Sequence, residues 1–328
     1  MKPISITNCP GTLKAGNQSY SVTALKRLFN GRKVSHILPY KSPASNHISE
    51  ELFDENRKIM SISGVQEKFS LLLDKNKLRL INKGETGQYI LKPIPNISKN
   101  SEYMPANEHL TMQIARQVFN IETAENALIF FSNGEPAYIT KRFDFKDDGT
   151  KRAQEDFAAL AQRSAQSHGE QYKYLGNYKE LFDLLKKFVP AYNIEAPKLL
   201  KLLLFNYLFS NGDAHFKNFS LIQTDLGDYK LSPAYDLLNS RIHIADKDFA
   251  LDGGLLPELK GKVHQQFYSL GQLAGIKDII IDKVFSQIKA NQNDVLSLIE
   301  GSYLSESLKR NYRQAYLSRL KKLNRDAS

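Results

Sequence analysis

Three oxygen-bearing side chains in the second half of the chain have the order and spacing of a phosphotransferase site. Asp213 and Asn218 lie five residues apart, and Asp236 follows eighteen residues after Asn218. In a kinase-type site, one carboxylate orients or deprotonates the acceptor hydroxyl, an asparagine holds a metal ion, and a second carboxylate chelates the metal–triphosphate. The D-x-x-x-x-N spacing is that of the protein-kinase catalytic loop. We therefore predict phosphoryl transfer that uses ATP and Mg²⁺, with a catalytic loop at residues 211–218.

A predicted hairpin would return the second carboxylate to the catalytic loop. Apolar-rich segments at 219–223 and 229–233 are separated by a turn that is rich in Asp and Gly, which is the pattern of two antiparallel strands. Turn chemistry is the alternative interpretation, because Asp and Asn in such turns cap helices more often than they catalyse. The apolar helix before the loop and the hairpin after it favour catalysis.

Short apolar runs separated by polar turns predict an antiparallel sheet in the first part of the chain. A helix at 106–119 follows the third strand, with Leu110, Ile114 and Val118 on one stripe. This is the element order of a kinase-like N-lobe. The predicted strands are 67–73, 77–81, 88–94, 127–131 and 137–143.

The rest of the chain is predicted to be helical, after a polar hinge at 147–151. The fold class is therefore α+β, a bilobal protein-kinase-like fold. Residues 1–144 form the N-lobe, an antiparallel sheet with one inserted helix, and residues 145–328 form the α-helical C-lobe. The predicted C-lobe helices are 154–162, 178–188, 196–209, 265–273, 277–288, 292–298 and 305–323.

The predicted N-lobe contains residues that could hold the nucleotide. Lys92 lies in a strand, as the lysine that contacts α/β-phosphates should, and Glu108 near the start of the next helix could form an ion pair with it. The alternatives are a solvated lysine at a strand end and a glutamate favoured by the helix dipole. No G-x-G-x-x-G motif is present. Residues 60–68 could instead cradle phosphates through backbone amides, or be an ordinary loop.

Composition narrows the class of protein without naming a partner. The 328 residues are 41% apolar and 24% charged, as in a soluble globular protein. The one cysteine, Cys9, excludes a disulfide framework, and we expect neither a signal peptide nor a membrane span and a cytoplasmic location. The net charge of +10 permits binding to nucleic acid or to an acidic protein.

Seven ordered blocks between residues 60 and 238 resemble the HipA family of bacterial toxin kinases. They are SISGVQEKFSLLL, QYILKPIP, ANEHLTMQIARQVF, KRFD, QEDFAALAQR, NGDAHFKNFSLI and LSPAYDLL. Only 60 residues precede the first block, whereas the long HipA form carries an additional N-terminal subdomain there. The chain therefore resembles the short form, HipT, whose missing piece is a separate small protein called HipS.

The resemblance implies a role for individual residues. Asp213 would be the catalytic aspartate, Asn218 and Asp236 the metal ligands, and Ser61 and Ser63 the sites of autophosphorylation. The substrates of such kinases are aminoacyl-tRNA synthetases, whose phosphorylation halts growth and leads to persistence. Antitoxins of the HipS and HipB type are the implied partners, with DNA reached only through the HipB type. The implied ATP-contacting residues are Ser63, Gly64, Val65, Gln66, Lys92, Glu108, Lys141, Arg142, Phe143, Gln154, His215 and Lys217.

Two other functional classes are consistent with parts of the sequence. A small-molecule kinase of the aminoglycoside-phosphotransferase type has a similar Asp and Asn around a His, but it needs an acidic pocket, and no dense acidic cluster follows Asp236. A non-catalytic DNA-associated module would fit the basic charge. The presence of Lys92, Asp213, Asn218 and Asp236 together argues against it.

Overall fold

The computed structural model describes residues 6–43, 53–54, 67–95, 99–146, 148–245 and 247–325. The chain divides into two compact units, and neither is continuous in sequence. The first comprises Met1–Gln113, Ala124–Phe143 and Ser297–Lys309, and the second comprises Ile114–Thr123, Asp144–Leu296 and Arg310–Ser328. Predicted site residues that lie outside the described residues are Ser61, Ser63, Gly64, Val65 and Gln66.

A five-stranded antiparallel sheet is the centre of the first unit. Its strands lie in the order β2-β1-β3-β5-β4, and Leu71, Leu91 and Ile139 on its central strands are completely buried. Gly134, at φ +86°, lies in the β4–β5 turn and has the left-handed conformation that glycine adopts without steric cost. The predicted strands are confirmed, with ends shifted by one or two residues. Their bounds are β1 Phe69–Asp74, β2 Lys77–Leu80, β3 Tyr89–Lys92, β4 Asn126–Phe130 and β5 Pro136–Lys141.

Two α-helices of the predicted N-lobe have both ends within the described residues. Helix α1 (Val22–Phe29) begins where the Ser21 side chain accepts a hydrogen bond from the Ala24 amide, and it ends at Asn30 in the left-handed conformation. Helix α2 (Met104–Gln117) follows β3, as predicted. Such a capped, amphipathic α1 is what a serine followed by apolar residues at helical spacing predicts.

Polar side chains attach α2 to the edge strand β4. His109 Nδ1 and Gln113 Nε2 lie 2.9 and 3.0 Å from Asn126 Oδ1, and Asn126 Nδ2 donates to the Ala124 carbonyl at 2.9 Å. Burial lowers the pKa of His109 to about 4, so this histidine is neutral at physiological pH. The network fixes the rotation of α2 and therefore the direction in which Glu108 points.

The second unit is mainly helical and also contains a three-stranded antiparallel sheet in the order β6-β7-β8. None of the described helices is both long and apolar enough to cross a membrane. The strands are β6 Gln154–Asp156, β7 Ser220–Gln223 and β8 Tyr229–Leu231. The helices that follow β6 along the chain are α3 Phe157–Leu160, α4 Ala165–His168, α5 Tyr178–Phe188, α6 Tyr192–Leu208, α7 Val263–Leu273, α8 Asp278–Lys289, α9 Gln292–Glu300 and α10 Glu306–Arg325. The end of α9 and the beginning of α10 fall within Ser297–Lys309 and so belong to the first unit.

One predicted helix, at 154–162, was wrong at its beginning. Gln154–Asp156 is strand β6, which pairs antiparallel with β7, and the helix begins only at Phe157. Asp156 ends the strand and caps the helix, because its Oδ1 accepts from the Ala159 amide at 2.9 Å. Pairing with β7 gives the backbone N–H and C=O groups of Gln154–Asp156 hydrogen-bond partners in the sheet, in place of those that a longer helix would give them. The predicted β7–β8 hairpin and the other long helices are confirmed.

Candidate active site

The predicted catalytic loop follows directly from the buried end of α6. Asn211 Nδ2 donates to Asn206 Oδ1 at 3.1 Å, and the Gly212 amide donates to Ser240 Oγ at 3.0 Å. A short 3₁₀ turn then covers Phe216–Asn218. The two bonds fix the beginning of the loop, because buried backbone and amide groups that are paired hold one conformation.

The Asp213 carboxylate accepts a hydrogen bond from a tyrosine hydroxyl. Tyr174 Oη lies 2.7 Å from Asp213 Oδ1, and Tyr178 Oη donates to the neighbouring Ala214 carbonyl at 2.7 Å. Burial raises the pKa of Asp213, and the hydrogen bond from Tyr174 and the charge of Lys173 offset part of that rise. A half-buried carboxylate with a raised pKa beside a hydroxyl group is typical of a general base.

His215 is a neutral imidazole inside the loop. Burial and the nearby Lys173 lower its pKa to about 3. Its Nδ1 is buried and has no hydrogen-bond partner in the part of the chain that the structure describes. Its backbone amide donates to Asn218 Oδ1 at 3.1 Å, so His215 also orients the asparagine. A neutral ring can accept or donate a hydrogen bond, but it adds no positive charge at physiological pH.

Lys217 provides the positive charge of the loop. Its Nζ lies 3.7 Å from Asp156 Oδ2 and donates to Tyr172 Oη at 3.4 Å. Partial burial alone would lower the pKa of Lys217, but Asp156 and Tyr172 raise it overall. The ammonium is therefore cationic at physiological pH, as a group that contacts phosphates needs to be.

The segment that carries Asp236 is tied to the catalytic loop through its neighbour Tyr235. Tyr235 Oη donates to the Lys217 carbonyl at 2.9 Å and also shares a short hydrogen bond with Ser220 Oγ on β7. Asp236 itself has φ +55°, a left-handed conformation that is uncommon outside glycine. Its charge contributes to raising the pKa of Asp213, so the two carboxylates interact electrostatically.

Asn218 and Asp236 carry side-chain oxygen atoms, the ligand atoms that Mg²⁺ prefers. Asn218 Oδ1 accepts one hydrogen bond, from the His215 amide, and an amide oxygen has a second lone pair for a metal. No group of three or more His, Cys, Asp or Glu side chains capable of holding a metal occurs within the described ranges. Magnesium in phosphotransferases is bound by one or two protein oxygens together with substrate phosphates, so this sparse donor set fits it.

The predicted ion pair between Lys92 and Glu108 is present in the first unit. Lys92 Nζ lies 2.7 Å from Glu108 Oε1, and the two residues are 4% and 3% exposed. The ammonium also lies 5.2 Å from the centroid of the Tyr138 ring, within the range of a cation–π contact. The exposed-lysine alternative is therefore wrong, because both charges are buried.

The remaining predicted nucleotide contacts fall in both units. In the first unit, Lys141 Nζ donates to Asn30 Oδ1 at 2.7 Å, the Arg142 amide donates to the Gln88 carbonyl at 2.8 Å, and Phe143 is half-buried. In the second, Gln154 Nε2 donates to Ser220 Oγ at 3.3 Å. Gln154 thus reaches the network around Tyr235, whereas the Lys141 side chain binds a residue of its own unit.

Sequence reasoning missed Tyr174 and Tyr235. Tyr235 directly precedes the predicted metal ligand Asp236, and this position could have identified it. Tyr174 lies 39 residues before Asp213, in a 3₁₀ turn, Tyr172–Tyr174, that has no periodicity. The sequence feature that could have pointed to Tyr174 is the pair of tyrosines, Tyr172 and Tyr174, between Gly169 and Gly176.

Comparison with solved structures identifies the fold. HipA of Shewanella oneidensis, solved in a complex with HipB and operator DNA, is similar with a TM-score of 0.63 and 19% identity over 87% of this chain and 73% of that one. The proinflammatory kinase CtkA of Helicobacter pylori is similar with a TM-score of 0.53 and 14% identity over 77% of this chain and 95% of that one. The chain therefore has a kinase-like α+β fold.

Sequence comparison identifies the family. A Haemophilus influenzae protein named "Putative kinase" is 24% identical over 88% of this chain and 87% of its own length. The Sinorhizobium fredii protein named "Putative kinase Y4mE" is 31% identical over 55% of this chain but only 42% of its own length. Residues 60–295 match the family model of the HipA-like C-terminal domain. That match covers most of the chain and includes Lys92, Asp213, Asn218 and Asp236, so the chain belongs to the HipA-like family.

Proposed function

We propose that this chain is an ATP- and Mg²⁺-dependent serine/threonine protein kinase that acts as the toxin of a toxin–antitoxin system. The hydrogen bond from the Tyr174 hydroxyl to Asp213 Oδ1, 2.7 Å long, carries the proposal. A general base must lie within about 2.6–3.2 Å of the hydroxyl whose proton it takes. The Tyr174 hydroxyl therefore stands in for the serine or threonine hydroxyl of a substrate.

The residues around Asp213 support each part of the transfer. The acceptor oxygen bonds to the γ-phosphorus, the bond from that phosphorus to the leaving ADP oxygen breaks, and Asp213 takes the hydroxyl proton. Burial raises the pKa of Asp213 and so makes its carboxylate a stronger base. Lys217 offers a cation to the phosphates, and a Mg²⁺ ion held by Asn218 and Asp236 would neutralise their negative charge.

Autophosphorylation is the direct test of this function. The purified chain is incubated with γ-labelled ATP and Mg²⁺, and the labelled peptides are mapped. We expect phosphate on Ser61 and Ser63, as the resemblance implies, and much slower labelling of the Asp213→Asn protein. Each phosphoserine adds about −1.5 to −2 charges at neutral pH, which would repel ATP phosphates and reduce activity. Absence of label from the wild-type chain and from every protein of a host lysate would overturn the proposal.

Substrate and partners are proposed from the family. We propose that an aminoacyl-tRNA synthetase is phosphorylated and that antitoxins of the HipS and HipB type bind this chain, with DNA contacted only through the HipB type. The Shewanella oneidensis HipA structure contains HipB and operator DNA, which supports the HipB-type partner. The paired serines Ser61 and Ser63 support the short HipT form. Phosphopeptide mapping of host lysate after brief expression, against an Asp213→Asn control, identifies the substrate.

Replacement of Tyr174 by phenylalanine is expected to change the pH dependence of the reaction. The hydrogen bond from Tyr174 favours the charged form of Asp213 and lowers its pKa. Its loss raises that pKa, so the acidic limb of the kcat/KM profile, which reports ionisation in the free enzyme, should move to higher pH. Tyr172→Phe is the control, because the Tyr172 hydroxyl belongs to the same turn but contacts Lys217 instead of Asp213. An acidic limb that stays in place in Tyr174→Phe, or moves equally in Tyr172→Phe, contradicts the assignment.

Replacement of Asp236 by alanine is expected to reduce nucleotide affinity together with activity. The variant loses the carboxylate proposed to hold Mg²⁺ against the phosphates, an interaction of a charged group worth on the order of ten- to a hundredfold in affinity. Titration of a non-hydrolysable ATP analogue with and without Mg²⁺ measures the change. Wild-type protein should bind more tightly with Mg²⁺, and Asp236→Ala should show little difference. An undiminished Mg²⁺ effect in the variant would remove Asp236 from the metal site.

A further inference from the structure

A pocket of about 440 Å³ lies within the second unit, and Asp213 is not among the residues that line it. It is bounded by α6, by α8, by the loop at 120–122 and by the segment that follows β8. Its volume falls within the range of about 300–1,000 Å³ that small-molecule sites occupy. The size therefore suits a small organic molecule better than a helix or an extended peptide.

The buried part of the pocket lining is apolar. Leu202 from α6, Leu231 from β8 and Val284 from α8 all line it, and all three are buried. Ile280, one turn before Val284, is half-buried in the same lining. These side chains would exclude water from the hydrophobic part of a ligand, which is the usual source of affinity in such sites.

Two lysines of the pocket lining, Lys201 and Lys283, have no acidic partner among the described residues. The acidic side chains that line the pocket are both paired: Glu195 Oε1 lies 2.6 Å from Lys198 Nζ, and Glu122 Oε1 lies 3.3 Å from Lys230 Nζ. Glu195 Oε2 also accepts from the Leu231 amide at 3.2 Å. Lys201 and Lys283 line the pocket, and neither forms an ion pair with any residue that the structure describes.

Lys201 is held in a partly dehydrated position at this pocket. It is half-buried, and burial lowers the pKa of its ammonium group. A partly dehydrated cation gains more from an anionic partner than a fully solvated one does, because the screening by water is weaker. An anionic group at Lys201 would recover the solvation that the lysine loses on folding.

We propose that this pocket binds a small amphipathic organic anion, with its apolar body against Leu202, Val284 and Ile280 and its carboxylate, sulfonate or phosphate group between Lys201 and Lys283. The pocket also touches the chain segment that leads to the metal-site residue, because Ala234 lines it and lies two residues before Asp236. The proposal does not depend on the kinase assignment, because none of the residues that form it belongs to the proposed catalytic site.

A pair of fluorescent probes tests the charge and the apolar wall separately. 1-Anilinonaphthalene-8-sulfonate is an apolar anion, and N-phenyl-1-naphthylamine has the same rings without the sulfonate. Both are titrated into the full-length chain in excess MgATP, which keeps them out of the nucleotide site. The double variant Lys201→Met/Lys283→Met should bind the sulfonate about tenfold more weakly, the sum of two modest ion pairs, and should bind the neutral probe as before.

Matched variants separate this site from general surface binding. Lys289 lies on α8, as Lys283 does, and is half-buried, as Lys201 is, but it does not line the pocket. Lys289→Met should therefore leave the affinities for both probes unchanged. Ile280→Trp fills the pocket from its half-exposed side and should weaken both probes. Thermal unfolding midpoints near that of the wild type ensure that each variant is folded. Equal sulfonate affinity in the wild type and the double lysine variant, or unchanged binding in Ile280→Trp, would overturn the proposal.

Discussion

Asp213→Asn is expected to slow phosphoryl transfer by about 10²–10⁴-fold, the range that a general base contributes. Asparagine has the same shape as aspartate, and its Oδ1 can still accept the hydrogen bond that Tyr174 Oη donates to Asp213. It cannot take up the proton of the acceptor hydroxyl. Folding and ATP affinity should therefore change little while the rate falls. Single-turnover transfer from labelled ATP measures the rate, and calorimetric titration measures the affinity.

Asp225→Asn is the matched control for that substitution. Asp225 lies in the turn of the β7–β8 hairpin, and its carboxylate, 76% exposed, pairs with Arg152 at 2.5 Å. Exposed ion pairs of this kind contribute little, and Asp225 is not part of the proposed site. The Asp225→Asn protein should transfer the phosphoryl group at the wild-type rate. Full autophosphorylation by the Asp213→Asn protein would mean that another group is the base.

The parts of the candidate site that depend on local spacing were predictable from sequence. Asp213 and Asn218 lie on one loop, and the strands that return the chain towards Asp236 are separated by an Asp- and Gly-containing turn. Both features depend on short-range geometry that residue types encode directly. The five strands of the sheet were predictable for the same reason, because their apolar runs are bounded by turn residues.

The parts that depend on contacts between distant segments were not predictable in the same way. Tyr174 reaches Asp213 from 39 residues away, and such a contact leaves no periodicity in the sequence. The same limit explains β6, whose residues Gln154–Asp156 were predicted to be helical. Their strand conformation is imposed by pairing with Ser220–Ile222 on β7, and tertiary pairing commonly overrides local propensity.

Glu108→Ala is expected to lower the free energy of unfolding by about 3–5 kcal/mol, the cost of leaving one member of a buried ion pair without its partner. Lys92 and Glu108 are joined at 2.7 Å, and their side chains are only 5% and 4% exposed. The alanine variant removes the carboxylate that lies 2.7 Å from the buried Lys92 ammonium, and with it a charge that offsets the hydration lost by that ammonium. Urea unfolding followed by circular dichroism measures the loss. Arg79→Ala, which breaks the more exposed Arg79–Glu85 pair in the same unit, is the control and should change stability little.

The double variant Lys92→Met/Glu108→Leu separates the structural role of this pair from its role in nucleotide binding. Replacing a buried ion pair with apolar side chains of similar volume is often neutral or stabilising, so the double variant should regain most of the stability that Glu108→Ala loses. It still lacks the ammonium that we propose contacts the ATP phosphates, so phosphoryl transfer should stay low in a stable protein. A double variant that is as unstable as Glu108→Ala would show that side-chain packing, and not the unpaired charge, causes the loss. A double variant with wild-type activity would show that Lys92 does not act on the nucleotide.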